Sequence, residues 1–343
     1  MSRNCIFYWP LLALGAGVLG VLGGCNTPTQ KQYGSTDGVM LGTRMHLVAE
    51  LERASAQGVY AEAMRLDAEA KASMSIFDEN SLLSRLNDNR TDSVDRHIAF
   101  NLHLADSIAS LSGGYYDVTI KPLVEAWGFA GKRQEQHPNI DSILTFIGHE
   151  KVRIRAGRLE KSDPRVQLDF NSIAKGYTVD LLAQMMERRG AENYLVEVGG
   201  EVRTKGVNAQ GKAWVIGIET PFDGNMSEGE YLQRRVTLSG ASLATSGNYR
   251  RFYIDSEGRK VAHTLNPKTG YSTLSRLLSV TVVAPTCAEA DALCTMLMAM
   301  GDKRALAFAE HTPSLQAYFI LSGEGEAYEE HITPAMQALM LNE

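Results

Sequence analysis

The sequence predicts an α+β fold of mixed sheets with packed helices, arranged as two pseudo-repeated halves. Three observations carry this. Apolar residues make up 44% and charged residues 22% of 343, ordinary globular usage over a length that suits one large domain or two fused halves. Short runs rich in β-branched and aromatic residues, bounded by turn residues, stand among longer segments of helical period. Strand–helix units recur in both halves without a short sequence period, which suits an old duplication rather than a solenoid.

The N-terminus reads as an export signal. Arg3 precedes an apolar stretch from Ile6 to Leu22, closed by Leu22-Gly23-Gly24-Cys25. Small residues let a signal peptidase grip an extended backbone, and the Cys25 thiol accepts the lipid. This lipobox pattern makes residues 1–24 a signal peptide, residues 25–37 a lipidated tether and residues 38–343 the folded domain. The protein is then expected on the periplasmic side of a bacterial membrane, with Asn26 pointing to outer-membrane sorting in a Gram-negative host. An uncleaved membrane anchor is the alternative, because the apolar stretch nearly reaches spanning length. Gly15-Ala16-Gly17-Val18-Leu19-Gly20 matches a dinucleotide-binding fingerprint letter for letter, but no strand precedes it and it lies in the segment expected to be removed.

Within the domain, Val39 to Ala49 reads as a strand and Ala56 to Met74 as a helix with Val59, Ala63, Leu66 and Ala70 on one face. A second helix is predicted over Arg96 to Leu111, stopped by Gly113-Gly114. Strands follow at Val152–Arg155, Leu159–Ser162, Tyr194–Val198, Val202–Gly206, Trp214–Glu219 and Arg235–Leu238. A helix from Ser172 to Arg189 follows the strand-like Val166–Phe170. Strands near Arg251–Ile254 and Leu278–Ala284 lead to a helix over Cys287–Met300.

Charge and cysteine usage narrow the function. The formal charge is −6, or −7 once Arg3 leaves with the signal segment, and no Lys/Arg run is present, so a nucleic-acid partner is not expected. Cys287 and Cys294 lie seven apart on one predicted helix, about 10 Å at 1.5 Å per residue, too far for a disulfide.

Four segments carry chemistry. Asp291 and Thr295 sit four apart on one helical face, two hard oxygen donors of the type Mg²⁺ takes beside water and phosphate. Alone, such a pair is more often a solvated face or a local hydrogen bond. The strand-to-helix turn from Leu168 to Tyr177 exposes backbone amides, with Asp169 beside them and Lys175 in the first turn, a setting that attracts phosphate. It serves equally as a helix cap with a solvated lysine. Gly113-Gly114-Tyr115-Tyr116-Asp117 lets backbone approach a ligand, and Tyr115, Tyr116, Trp127 and Phe77 offer ring faces, although aromatics usually fill core. His263, ahead of the Pro267–Gly270 turn, can donate, accept or move a proton.

Taken together and in this order, these segments resemble the ApbE family, the FAD:protein FMN transferases. The likeness runs through Leu41-Gly42-Thr43, Met74–Phe77 with Ser81 and Leu86-Asn87, Tyr116–Ile120 with Trp127-Gly128-Phe129, Asp169–Gly176, Ser242–Gly247, His263–Gly270 and Asp291–Thr295. The resemblance implies a T-fold-like architecture and an enzyme that uses FAD and Mg²⁺. It implies transfer of the FMN half to a threonine of membrane flavoprotein subunits of the Rnf and sodium-translocating quinone reductase complexes, with AMP released. By matching positions it makes Asp291, Thr295 and the Ser172 backbone carbonyl metal ligands. It likewise places Met40 or Leu41, Phe77, Tyr115, Tyr116, Asp117, Asp169, Lys175, His263 and Cys294 at FAD. Lys175 would hold phosphate, and His263 is the candidate base on chemical type. Two positions depart from the family pattern: Leu41 replaces the usual Met before Gly-Thr, and Phe77 stands where many members carry Tyr. The competing readings are an FAD pyrophosphatase, with water in place of threonine, and a non-catalytic flavin-binding lipoprotein.

Overall fold

A computed structural model describes residues 30–130, 138–222, 231–249, 251–255, 258, 260–273, 275–325 and 327–341. The signal segment, Cys25 and the first residues of the expected tether lie outside the described residues.

Fourteen strands are present among the described residues: β1 Gln32–Met40, β2 Thr43–Leu51, β3 Val152–Arg155, β4 Arg158–Lys161, β5 Tyr194–Val198, β6 Glu201–Lys205, β7 Trp214–Glu219, β8 Leu232–Leu238, β9 Ser242–Gly247, β10 Phe252–Ile254, β11 Lys260–Ala262, β12 Leu277–Ala284, β13 Gln316–Ser322 and β14 Tyr328–Ile332. Eight of them form one sheet in the order β1-β2-β5-β6-β9-β12-β13-β14, with every neighbouring pair antiparallel. The order has an internal echo. In each half two strands lead into a helical crossing and two more return beside them: β1-β2 to β5-β6, then β9-β12 to β13-β14. The expected two halves are therefore visible in topology.

Alternation sorts the faces. On β2, Met45, Leu47, Ala49 and Leu51 are buried while Arg44 and His46 point the other way. The buried face packs on the Val59–Met74, Ala174–Arg188 and Cys287–Met300 helices through two apolar clusters. The opposite face is covered by the β7–β8 ribbon and the Pro334–Gln337 helix, around Trp214, Ile218, Val236 and Met336. Among the described residues no helix is long and apolar enough to cross a membrane.

The structure corrects several boundaries. The single strand expected over Val39–Ala49 is a hairpin, because Leu41 (φ 50°) and Gly42 (φ 77°) make a two-residue turn of left-handed backbone. Leu is not a residue that announces such a turn. It is held by the Asp67 carboxylate, which accepts the Leu41 N–H at 2.9 Å. Residues 32–37, expected in the tether, belong to β1; β2 runs far enough to pair this polar edge strand back to Gln32. The helix expected from Ala56 starts at Val59, after Gly58 in left-handed backbone. Val166–Phe170 is not a strand. It makes one bridge, Ile120 to Gln167, and is otherwise fixed by Asn87, whose amide donates to the Leu168 carbonyl and accepts the Leu168 N–H.

Candidate active site

The site is organised by a helix crossing. The Ala174–Arg188 helix meets the Cys287–Met300 helix at Gly176, where a Cβ would lie 2.3 Å from the Cys287 carbonyl oxygen. Only glycine lets the two N-terminal turns come this close. The approach has a polar lock on each side. Asp291 Oδ2 accepts the Gly176 N–H at 3.0 Å. Asp180 accepts the Cys287 and Ala288 N–H groups at 3.0 and 2.9 Å and pairs with Arg203, supplying acceptors to a helix N-terminus that needs them.

Around this crossing the structure brings together most of the residues expected at phosphate and metal. Lys175 forms an ion pair with Glu201, whose side chain is 3% exposed. Burial opposes the Lys175 charge, but the Glu201 and Asp291 carboxylates outweigh it and hold its pKa above the usual lysine value. Burial pushes Glu201 up to about 7 against the pull of Lys175, and Asp291 is raised for the same first reason. Glu201 Oε2 is buried with no hydrogen-bond partner among the described residues. The Ser172 hydroxyl donates to the Tyr116 hydroxyl at 3.0 Å, and burial, then the negative charges of Asp291, Asp117 and Asp169, keep that phenol neutral. Thr295 Oγ1 lies 3.4 Å from Ser246 Oγ.

Asp117 and Asp169 are buried and both spend one oxygen on local turns, Asp117 on the Thr119 N–H and hydroxyl and Asp169 on the Asn171 N–H. Desolvation raises the pKa of both. His263 lies on the neighbouring segment. Its Nδ1 is 3.2 Å from the Arg251 carbonyl; a carbonyl can only accept, so Nδ1 carries the proton and Nε2 keeps its lone pair. Burial, then the Arg251 charge, pulls its pKa down to about 4. Tyr115 meets the same segment from the other side, with Lys268 5.0 Å and Arg304 5.3 Å from its ring centre.

Other expected residues stand apart. Met40 is fully buried in the core, so Leu41, in the turn, is the one of that pair that reaches outward. Phe77, 66% exposed, occupies the loop after the Val59–Met74 helix, with its N–H on the Ser75 hydroxyl. Cys294 is fully buried and its thiol donates to the Ala244 carbonyl at 3.1 Å. Both Cys287 and Cys294 are free thiols, in keeping with the spacing.

Sequence reasoning passed over Glu201, Ser246 and Asp180. Glu201 carried a readable signal, since Gly199-Gly200 before it is a two-residue hairpin turn (φ 61° and 97°) that aims the next side chain.

This combination defines a class: an α+β protein with a half-buried lysine in the first turn of a helix, set against buried carboxylates, and hydroxyls converging on one sheet. The family model described as ApbE matches residues 41–319, and the chain belongs to that family. A relative from Haemophilus influenzae named FAD:protein FMN transferase is 36% identical over 304 residues, 84% of this chain and 86% of that protein. One of the same name from Klebsiella pneumoniae is 32% identical over 96% of this chain and 97% of its own. Among solved structures, the flavin transferase ApbE from Vibrio cholerae superposes with a TM-score of 0.78 at 29% identity, over 90% of this chain and 99% of that one. An ApbE protein from Thermotoga maritima gives 0.79 at 28%, over 91% and 100%.

Proposed function

We propose that this protein is an FAD:protein FMN transferase. It moves the FMN half of FAD to a threonine hydroxyl of a membrane flavoprotein subunit, of the Rnf or sodium-translocating quinone reductase type, through a phosphoester bond. The observation that carries this reading is the Lys175–Glu201–Asp291 cluster at the start of the Ala174–Arg188 helix, a charged lysine at the positive end of a helix dipole, in a chain whose relatives bear that name.

The residues fit a hard dication. Asp291 keeps one carboxylate oxygen beyond its bond to Gly176, Thr295 adds a hydroxyl, and Ser172 stands beside the crossing with its carbonyl in the turn. Among the described residues no three His, Cys, Asp or Glu side chains could hold a metal by themselves, so water and substrate phosphate would complete the shell, as Mg²⁺ prefers. Asp291, Thr295 and the Ser172 carbonyl would hold Mg²⁺, which when bound neutralises charge on the pyrophosphate.

The chain's own groups do the rest. Lys175, at the positive end of the helix dipole, orients the phosphoryl group to be transferred. The acceptor hydroxyl oxygen bonds to the FMN phosphorus, the P–O bond to AMP breaks, and the hydroxyl proton leaves to a base. His263 suits that role: neutral at pH 7, with Nδ1–H engaged and Nε2 open to accept. The decisive assay incubates the full-length protein with FAD, Mg²⁺ and a threonine-containing acceptor and weighs the acceptor by mass spectrometry. An added FMN is expected; free FMN with an unmodified acceptor would make the protein an FAD pyrophosphatase, and intact FAD a flavin carrier.

The lipobox supports attachment through Cys25 to the periplasmic side of a bacterial membrane. Labelled palmitate should enter the protein and be lost in Cys25→Ala; an unlabelled chain would leave the uncleaved anchor.

A further inference from the structure

The eight-stranded sheet is joined at its centre by a very short seam. β6 pairs with β9 only at Val202–Leu243 and Arg203–Ser242, with one more bond from the Thr204 N–H to the Ala241 carbonyl. β6 then ends in the Gly199-Gly200 turn, while β9 continues through Ala244, Thr245, Ser246 and Gly247. This length of β9 has no strand on that side. Its register states which groups face the gap. The Asn248 N–H bonds to the Leu278 carbonyl, so even-numbered residues of β9 direct their main chain to β12. Odd-numbered ones face β6, as the Ala241 bond confirms. The N–H and C=O groups of Thr245 and Gly247 therefore point into the opening, and no main-chain partner meets them among the described residues.

A cavity of about 330 Å³ adjoins this opening on the face away from the helices. Gly199, Gly200 and Thr245 line its inner end, and Arg44, His46 and Glu197 its wall. On the helix face, Ser246 touches Thr295. The open edge thus separates this cavity from the candidate metal pair by the thickness of one strand.

We propose that the open edge of β9 is where the acceptor polypeptide binds, as an extended segment adding one short antiparallel strand beside Thr245–Gly247, in the sense of every other pair in the sheet. This rests on the transfer reading and names how its second substrate is recognised. Strand addition satisfies the waiting main-chain groups and takes affinity from backbone rather than sequence. Side chains of an added strand alternate as those of β9 do. The residue opposite Ser246 projects to the helix face, beside Ser246 and Thr295, and is the threonine. Its two neighbours project into the cavity, whose walls combine Arg44, His46 and Glu197 with the apolar Leu195, Val215 and Ile216 and so accept amphipathic flanking residues. Gly199 and Gly200 leave room for that backbone.

The register makes the test specific. In the bound segment the amides of the two residues flanking threonine point at β9, and the amide of threonine itself points away. Three pools of heptapeptides with central threonine and randomised flanks are offered to the full-length protein with FAD and Mg²⁺. One is unmodified, one is N-methylated at threonine, and one is N-methylated at both neighbours. FMN transfer, read by mass spectrometry, should be similar for the first two pools and at least tenfold lower for the third. Equal transfer to all three overturns strand addition, as does a loss that is as large when only the threonine amide is methylated. If FAD is cleaved yet no pool gains FMN, water is the acceptor and the transfer reading falls together with this one.

Discussion

The two halves of the sheet share a topology but not a crossing. In the first half the chain between β2 and β5 runs over residues 52–193 and carries the exposed Phe77, the Tyr115–Asp117 turn, Asp169 and Lys175; in the second, residues 285–315 between β12 and β13 form little more than two helices. The first crossing is thus several times longer than the second, which is close to a bare helical unit. Yet the second half supplies Asp291, Thr295 and Ser246. Division of labour follows: the long crossing shapes what surrounds a ligand, and the short one fixes the charge and hydroxyls at the junction. The Gly176 contact is where the two are made to agree.

The largest effect tests the short crossing. Asp291→Ala removes the carboxylate that would hold the cation and leaves the Gly176 N–H without its acceptor. Metal-dependent turnover should fall by about 10³-fold or more, on the scale of about 4 kcal/mol of transition-state stabilisation lost when a key electrostatic group is removed. An Asp291→Ala protein with full activity at low Mg²⁺ would sink the assignment. Circular dichroism guards against simple unfolding, because only one buried hydrogen bond is lost.

The contact between halves should respond to Gly176→Ala. The added methyl would sit 2.3 Å from backbone, not from a flexible side-chain end, so the two helices must separate. Overpacking of this kind costs roughly 1–3 kcal/mol, and urea unfolding should show a lower midpoint with unchanged slope. If the midpoint stays put, the crossing is looser than its geometry states and the halves are less tightly coupled.

Much of the second half was legible in the sequence, and the reason is physical. The Cys287–Met300 helix has a Thr286 cap whose hydroxyl accepts the Glu289 N–H, and its chemistry lies within one element, so spacing alone puts Asp291 and Thr295 on one face. Outside that half, β5 and β7 also follow their patterns to the residue. The first half was harder because its geometry is made by backbone. The Leu41-Gly42 turn splits an apolar run that reads as one strand, and Val166–Phe170 has strand composition but no strand to join. Glu201 escaped because its importance comes from burial against Lys175, a long-range fact. Cys294, one turn from Asp291, is fully buried with its thiol on the Ala244 carbonyl, a placement that spacing on the helix does not reveal. The open edge of β9 could not have been read at all, since it is defined by where β6 stops.

The smallest effect separates binding surface from junction by pH. His263 has its folded pKa pulled down to about 4 by burial and by Arg251, below the ordinary value near 6.5. The unfolded chain therefore binds a proton at this residue between those values while the folded one does not. Stability from this source is fully present above pH 6.5 and is lost as pH falls toward 4. His263→Asn should leave stability near pH 7.5 within about 1 kcal/mol, because one partly exposed ring is lost, and should make the decline between pH 6.5 and 4 shallower. The same variant should slow FMN transfer while FAD binding, followed by flavin fluorescence, stays within a few-fold. Thermal melts across that pH range check the first statement. An acid slope identical in the two proteins would mean that the ring is solvated and titrates normally, and His263 would then lose the one property that distinguishes it from a surface histidine.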